Sequence, residues 1–149
     1  MPTIPFQTQI NAPPEKVFAY VADLQKHPEW SHIEEMKKTS DGAVGVGSTY
    51  ESRGKNLGMT TTDKIEVTEY QSNQRIGWRS RGGFGMQFNW SFEVQPQGDG
   101  TLLIERFEPP SGAIANLIGR FAQKSTVTAI QEGLARIKEK LEESARCLF

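Results

Sequence analysis

The period of the hydrophobic pattern changes once along this chain, near residue 110, and that change constrains the fold more than any other feature. Between Ile33 and Glu108, apolar residues alternate in short runs bounded by turn residues, as strands require. From Ser111 onward Ile114, Leu117, Ile118, Phe121, Ile130, Leu134, Ile137 and Leu141 recur at helical spacing. The alternating runs predict strands over Ile33 to Ser40, Gly47 to Arg53, Met59 to Tyr70, Arg75 to Arg81, Phe84 to Val94 and Thr101 to Glu108. Turns fall at Asp41-Gly42, Gly54-Lys55-Asn56, Gln71-Ser72-Asn73, Gly82-Gly83 and Gln97 to Gly100. Such short connections imply an antiparallel meander.

The N-terminal part adds one strand and two short helices. Residues Thr3 to Asn11 alternate, with Ile4, Phe6, Thr8 and Ile10 on one face. Pro13-Pro14-Glu15 then opens a helix, because proline suits a first turn whose N–H groups lack partners and Glu15 complements the positive end of the dipole. Val17, Phe18 and Val21 form its buried stripe. Pro28 excludes an uninterrupted continuation and predicts a turn followed by a second short helix before Trp30. The C-terminal helix, if continuous to Ala145, is about 50 Å long at 1.5 Å per residue. An interruption is expected at Gly119 or at Thr126-Val127-Thr128, where helix propensity is lowest.

This order of elements is α+β, and its proportions predict an interior space. Seven strands at about 4.8 Å make a sheet roughly 30 Å wide, whereas a helix with its side chains is about 10 to 12 Å across. The sheet must therefore curl around the long helix, with the two short helices closing one end. The run Phe84, Met86, Phe88, Trp90, Phe92 and Val94 gives the concave face an apolar, largely aromatic row. Ile76 and Trp78 share a face, Met59, Thr61, Asp63, Ile65 and Val67 form another inward row, and Leu103, Glu105 and Phe107 share a side. The expected cavity lining is Phe18, Trp30, Tyr50, Ile65, Val67, Trp78, Met86, Phe88, Trp90, Phe92, Leu103, Glu105, Phe107, Leu117 and Phe121. Packing alone also produces apolar alternation, so the row by itself does not establish a cavity.

Composition narrows the partners. At 149 residues, with no repeat or linker-like stretch, residues 1–149 read as one domain. The 17 basic and 18 acidic residues are interspersed, giving a net charge of -1 and no nucleic-acid footprint. No apolar run reaches the length of a membrane span, and Met1 to Gln9 lacks the pattern of a secretory signal, which makes the cytoplasm the default. Cys147 is the single cysteine, so neither an internal disulfide nor a multi-cysteine metal site is available.

Few residues carry chemistry. His27 and His32 are the only histidines, too few for a zinc site, so no metal and no cofactor is expected. His27, beside a proline turn, is expected to be exposed; Trp30 is expected to close the cavity, to staple the short helix to the sheet, or both. Gly82-Gly83-Phe84-Gly85 leads into a strand and lacks the Lys-Ser/Thr of a phosphate loop. No nucleophile elbow or Cys/His pair is present. An enzymatic reading rests on the polar residues Glu105, Asp63 and Arg106, with Glu105 as the catalytic candidate. An inward carboxyl among aromatics has a raised pKa and suits general acid or base work. The competing reading pairs it with a neighbouring arginine or lysine, and a one-residue change of register turns it outward.

The stretch Ala12-Pro13-Pro14-Glu15-Lys16-Val17-Phe18-Ala19-Tyr20-Val21-Ala22-Asp23-Leu24, followed by Pro28 and Trp30, resembles the polyketide cyclase/dehydrase and lipid-transport family of the START/Bet v 1-like (SRPBCC) superfamily. Further matches are Gly45-Val46-Gly47, Val67-Thr68-Glu69-Tyr70 and Gly98-Asp99-Gly100-Thr101, so the resemblance spans roughly Ile4 to Leu141. It implies a helix-grip fold with a cavity for an apolar small molecule such as a lipid, isoprenoid or polyketide-like ring system, and carries over no catalytic set. Three readings stay open: a carrier or sensor of such a ligand, a cyclase or dehydratase acting on a polyketide-like carbonyl compound, and a protein-interaction module on the same fold.

Overall fold

The computed structural model describes residues 4–56, 58–82, 87–108 and 113–146, with side chains for all of these except 4, 56, 113–125 and 144–146. The strands are β1 (Ile4–Ile10), β2 (Ile33–Lys38), β3 (Thr49–Asn56), β4 (Met59–Gln71), β5 (Arg75–Arg81), β6 (Gln87–Gln97) and β7 (Gly100–Glu108). Between β1 and β2 lie helix α1 (Pro14–Ala22) and a 3₁₀ helix (Leu24–Glu29), and helix α2 (Ala113–Arg146) follows β7.

All seven described strands belong to one antiparallel sheet in the order β1-β7-β6-β5-β4-β3-β2. Strands β2 to β7 form the expected meander. β1 instead pairs with β7, from Ile4 opposite Phe107 to Ile10 opposite Thr101. The chain entering β2 must therefore cross from one edge of the sheet to the other. The crossing segment does so on the concave side, with α1 against β6 and β7 and the 3₁₀ helix against β2. Asp23 starts the 3₁₀ helix by accepting from the Gln25 N–H at 3.2 Å. The buried Thr101 hydroxyl donates to the Ala12 carbonyl at 2.7 Å and ties the start of the crossing to β7.

Register shifts between Val67 and Glu69 in β4 and between Ile33 and Glu35 in β2 bend the sheet, as bulges do. The concave side carries two long cross-strand rows. One runs Val67, Trp78, Trp90, Phe107; the other runs Tyr70, Ile76, Phe92, Glu105, Phe6. With Val17, Phe18, Val21 and Leu24 from the crossing helices and Ile130, Leu134 and Ile137 from α2, these rows make the core.

Several expectations change. β3 runs on through Gly54, Lys55 and Asn56, which are strand and not turn, because they pair with Thr61, Thr60 and Met59 of β4. Gly58 has φ +79, which glycine adopts without strain. β6 continues to Gln97, beyond the expected Val94, while its expected start at Phe84 and the Gly83 side of the preceding turn lie outside the described residues. α2 is continuous from Ala113 to Arg146, with no interruption at Gly119 or Thr126 to Thr128. Glycine costs about 1 kcal/mol in a helix and β-branched residues less, too little to outweigh propagation along 34 residues. The Lys138 Nζ donates to the Gln9 carbonyl at 2.5 Å and Glu142 accepts from the Asn11 N–H at 3.1 Å, so α2 is fastened along β1.

Candidate functional site

The concave aromatic residues separate into two clusters. The inner one joins the crossing segment to the middle of the sheet: the His27 ring lies 4.3 Å from Trp30 and 5.3 Å from Trp78, and Phe92 lies 5.7 Å from Trp30 and 5.6 Å from Trp78. All four side chains are buried, Phe92 completely. The outer cluster consists of Phe107 with Trp90 at 4.4 Å and Phe88 at 6.0 Å. Phe107 is buried, but Trp90 and Phe88 remain partly exposed although alternation places them on the concave side with Phe92.

Glu105 stands between the clusters. Phe92 and Phe6 are its cross-strand partners, and Leu103 and Phe107 are its neighbours on the same side of β7. Only 3% of it is exposed, and it makes no hydrogen bond or ion pair among the described residues. Burial pushes its carboxyl up to about 8, so the group is mostly neutral at pH 7. The adjacent Arg106 points to the other side of the strand, where it pairs with Glu93 at 2.5 Å and, with Gln95, holds that carboxyl below its usual range. The competing expectation of a charge-paired Glu105 is therefore not met among the described residues.

His27 is 4% exposed, against the expectation of an exposed histidine. The 3₁₀ helix turns it inward and satisfies its Nδ1 with the Leu24 carbonyl at 3.0 Å. A carbonyl only accepts, so Nδ1 carries the proton and Nε2 is left as an acceptor. Burial lowers the pKa of the ring to about 4. Trp30 meets the sheet at Phe92 of β6, 5.7 Å away, and its six-membered ring also packs on Gly133 of α2, where a Cβ would come within 3.2 Å of Cε3. Its Nε1, on the opposite edge of the indole, is buried without a hydrogen-bond partner.

The remaining lining candidates fall as follows. Phe18, Tyr50, Ile65, Val67, Trp78 and Leu103 are buried on or against the concave face, Phe18 in edge contact with Tyr70 at 5.6 Å. Met86 and the side chains of Leu117 and Phe121 lie outside the described residues. Met59 and Thr61, assigned to an inward row, are exposed, whereas Asp63 accepts from the buried Ser80 hydroxyl at 3.2 Å. Sequence reasoning missed Phe6, Tyr70 and the inward His27. Phe6 was visible in the β1 alternation; nothing local marked the other two.

The convex face offers a different feature, a groove of about 440 Å³ across β3, β4 and β5 lined mainly by Thr39, Thr49, Glu51, Lys64, Glu66, Arg79 and Arg81. Its charges are of both signs, with Glu51 opposite Lys64 and Glu66 opposite Arg79, as on a solvated sheet face. Among the described residues no three of His, Cys, Asp and Glu gather as a metal ion would require. No described helix is long and apolar enough to cross a membrane.

Residues 1–142 match the family model described as polyketide cyclase / dehydrase and lipid transport. No curated protein matches the sequence. Among solved structures, protein TTHA0849 of Thermus thermophilus is similar with a TM-score of 0.77 and 19% identity, over 96% of this chain and 99% of that one. A START superfamily protein from Mycobacterium smegmatis is similar at 0.72 and 16%, over 95% and 97%. The di-domain ARO/CYC StfQ from the steffimycin biosynthetic pathway is similar at 0.75 and 13%, over 96% of this chain and 51% of that one. At these identities the likeness is one of fold, the START/Bet v 1-like fold.

Proposed function

Because this chain belongs to the polyketide cyclase / dehydrase and lipid transport family, we propose that it binds an apolar small molecule between the concave face of its sheet and its C-terminal helix. The observation that carries the reading is the outer aromatic cluster: Phe88 and Trp90 face the concave side yet stay partly exposed. A core built only for stability would bury such rings, since each aromatic side chain withdrawn from water contributes about 2 to 3 kcal/mol. A ligand covering about 300 Å² of apolar surface gains about 7 kcal/mol before its immobilisation is deducted. Lipids, isoprenoids and aromatic polyketide-like rings fit that chemistry. Native mass spectrometry of the purified protein, alone and with a panel of these compounds, tests it. One ligand per chain is expected; an unshifted mass across the whole panel refutes the reading.

Glu105 favours a second reading, a cyclase or dehydratase. A neutral carboxyl among aromatics, with a pKa near 8, is suited to passing a proton to or from an enolisable carbonyl compound. Turnover of such a compound that disappears in Glu105→Gln, with binding kept, supports it; unchanged turnover refutes it.

A further inference from the structure

The interior holds polar atoms that the fold itself does not use. Glu105 is surrounded on its face of the sheet by Phe6, Phe92, Leu103 and Phe107, none of which can hydrogen bond through its side chain. Trp30 Nε1 is buried without a partner, and its ring touches Phe92, the residue directly across from Glu105. A fully buried polar atom without a hydrogen bond costs the fold about 1 to 3 kcal/mol, which applies to Trp30 Nε1; the Glu105 carboxyl, 3% exposed and without a partner among the described residues, is open to one.

Resting on the binding reading above, we infer that Glu105 is the polar anchor of the bound molecule, which is an apolar compound bearing a hydroxyl or carbonyl oxygen and not a bare hydrocarbon or a carboxylate. Of these two groups Glu105 borders the partly exposed aromatics, Trp90 and Phe88 around Phe107, so a ligand seated on those rings brings its oxygen to the carboxyl. A neutral acid offers one O–H donor and a carbonyl acceptor, which match a ligand hydroxyl or ketone. The high pKa of Glu105 keeps it in that neutral form at pH 7. A carboxylate ligand would bring a charge into a region where no described lysine or arginine pairs with Glu105, and an unpaired buried charge is far more costly than an unpaired hydroxyl. A bare hydrocarbon would leave both groups as they are. The position of Glu105, next to Phe107 and one step inward from Trp90, places the contact just inside the partly exposed aromatics.

The test compares matched ligands differing by one oxygen: phenanthrene with 9-phenanthrol, and androstane with androsterone. Affinities for the wild type, Glu105→Met and Glu105→Gln are measured by quenching of tryptophan fluorescence, with circular dichroism confirming that each variant is folded. The wild type is expected to prefer the oxygenated member of a pair by about five- to tenfold, the effect of one net hydrogen bond. Glu105→Met should reduce that preference to near unity, whereas Glu105→Gln should retain it, because an amide still donates and accepts. Binding of both members with a ratio that Glu105→Met leaves unchanged overturns the anchor while sparing the binding reading. Failure of the wild type to bind any of the four compounds overturns the binding reading itself.

Discussion

Glu105 makes folding stability depend on pH in a direction opposite to most carboxylates, and the size of the effect follows from its burial. Its pKa rises from 4.5 to about 8 on folding. Below pH 4.5 the group is neutral in the folded and unfolded chains alike. Between pH 4.5 and 8 the unfolded chain releases the proton while the folded chain keeps it. Stability therefore falls by about 1.4 kcal/mol per pH unit across that window. Above pH 8 both states are ionised and the loss levels off at about 5 kcal/mol. Glu105→Gln removes the titration and leaves a similar shape. Urea denaturation of both proteins from pH 5 to pH 8 should show the variant gaining on the wild type by about 4 kcal/mol over that range. Any constant offset from the amide cancels in the comparison, as does the titration of His27, which both proteins share. Stability curves that stay parallel within about 1 kcal/mol would refute the argument that Glu105 is a desolvated, unpaired acid.

Three further outcomes are expected. His27 has its pKa lowered by burial from 6.5 to about 4, so the folded chain resists protonation and stability is lost as pH falls through that interval, by about 3 kcal/mol; His27→Leu should abolish this acid limb in denaturation curves taken between pH 7 and 4. Gly100→Ala should destabilise by about 1 to 3 kcal/mol in chemical denaturation, because the added Cβ would lie 2.5 Å from the Ile10 carbonyl oxygen, a backbone atom held in the β1–β7 ladder. Phe92→Ala should cost about 3 to 5 kcal/mol of stability, whereas Trp90→Ala should cost less than about 2 kcal/mol and act mainly on ligand affinity, as paired denaturation and binding measurements would show.

How much of this was legible in the sequence depended on whether the information was local. The inward direction of Glu105 followed from the parity it shares with Leu103 and Phe107, and a strand's side-chain period is a property of adjacent residues. The same parity placed Trp78, Phe92 and Trp90 on one face. His27 was misjudged because its partners lie elsewhere: Trp78 belongs to β5 and meets it only after the crossing segment has passed beneath the sheet. The strand order was hidden for the same reason, since nothing within Ile4 to Ile10 specifies β7 as its neighbour. Local propensity also misled in two places. Gly54 suggested a turn that the pairing of Asn56 with Met59 overrides, and Gly119 suggested a break that helix propagation overrides.

The pairing of β1 with β7 also governs when the molecule can be completed. A ribosome delivers the two strands far apart in time, and among the described strands β1 neighbours β7 alone. Until Gly100 to Glu108 emerges, Ile4 to Ile10 must wait unpaired while the hairpins from β2 to β6 assemble with the β6 edge open. Non-local closure of this kind slows folding and exposes intermediates to self-association. The final helix, fastened to β1 through Gln9 and Asn11, then acts as a latch on the seam that closes last.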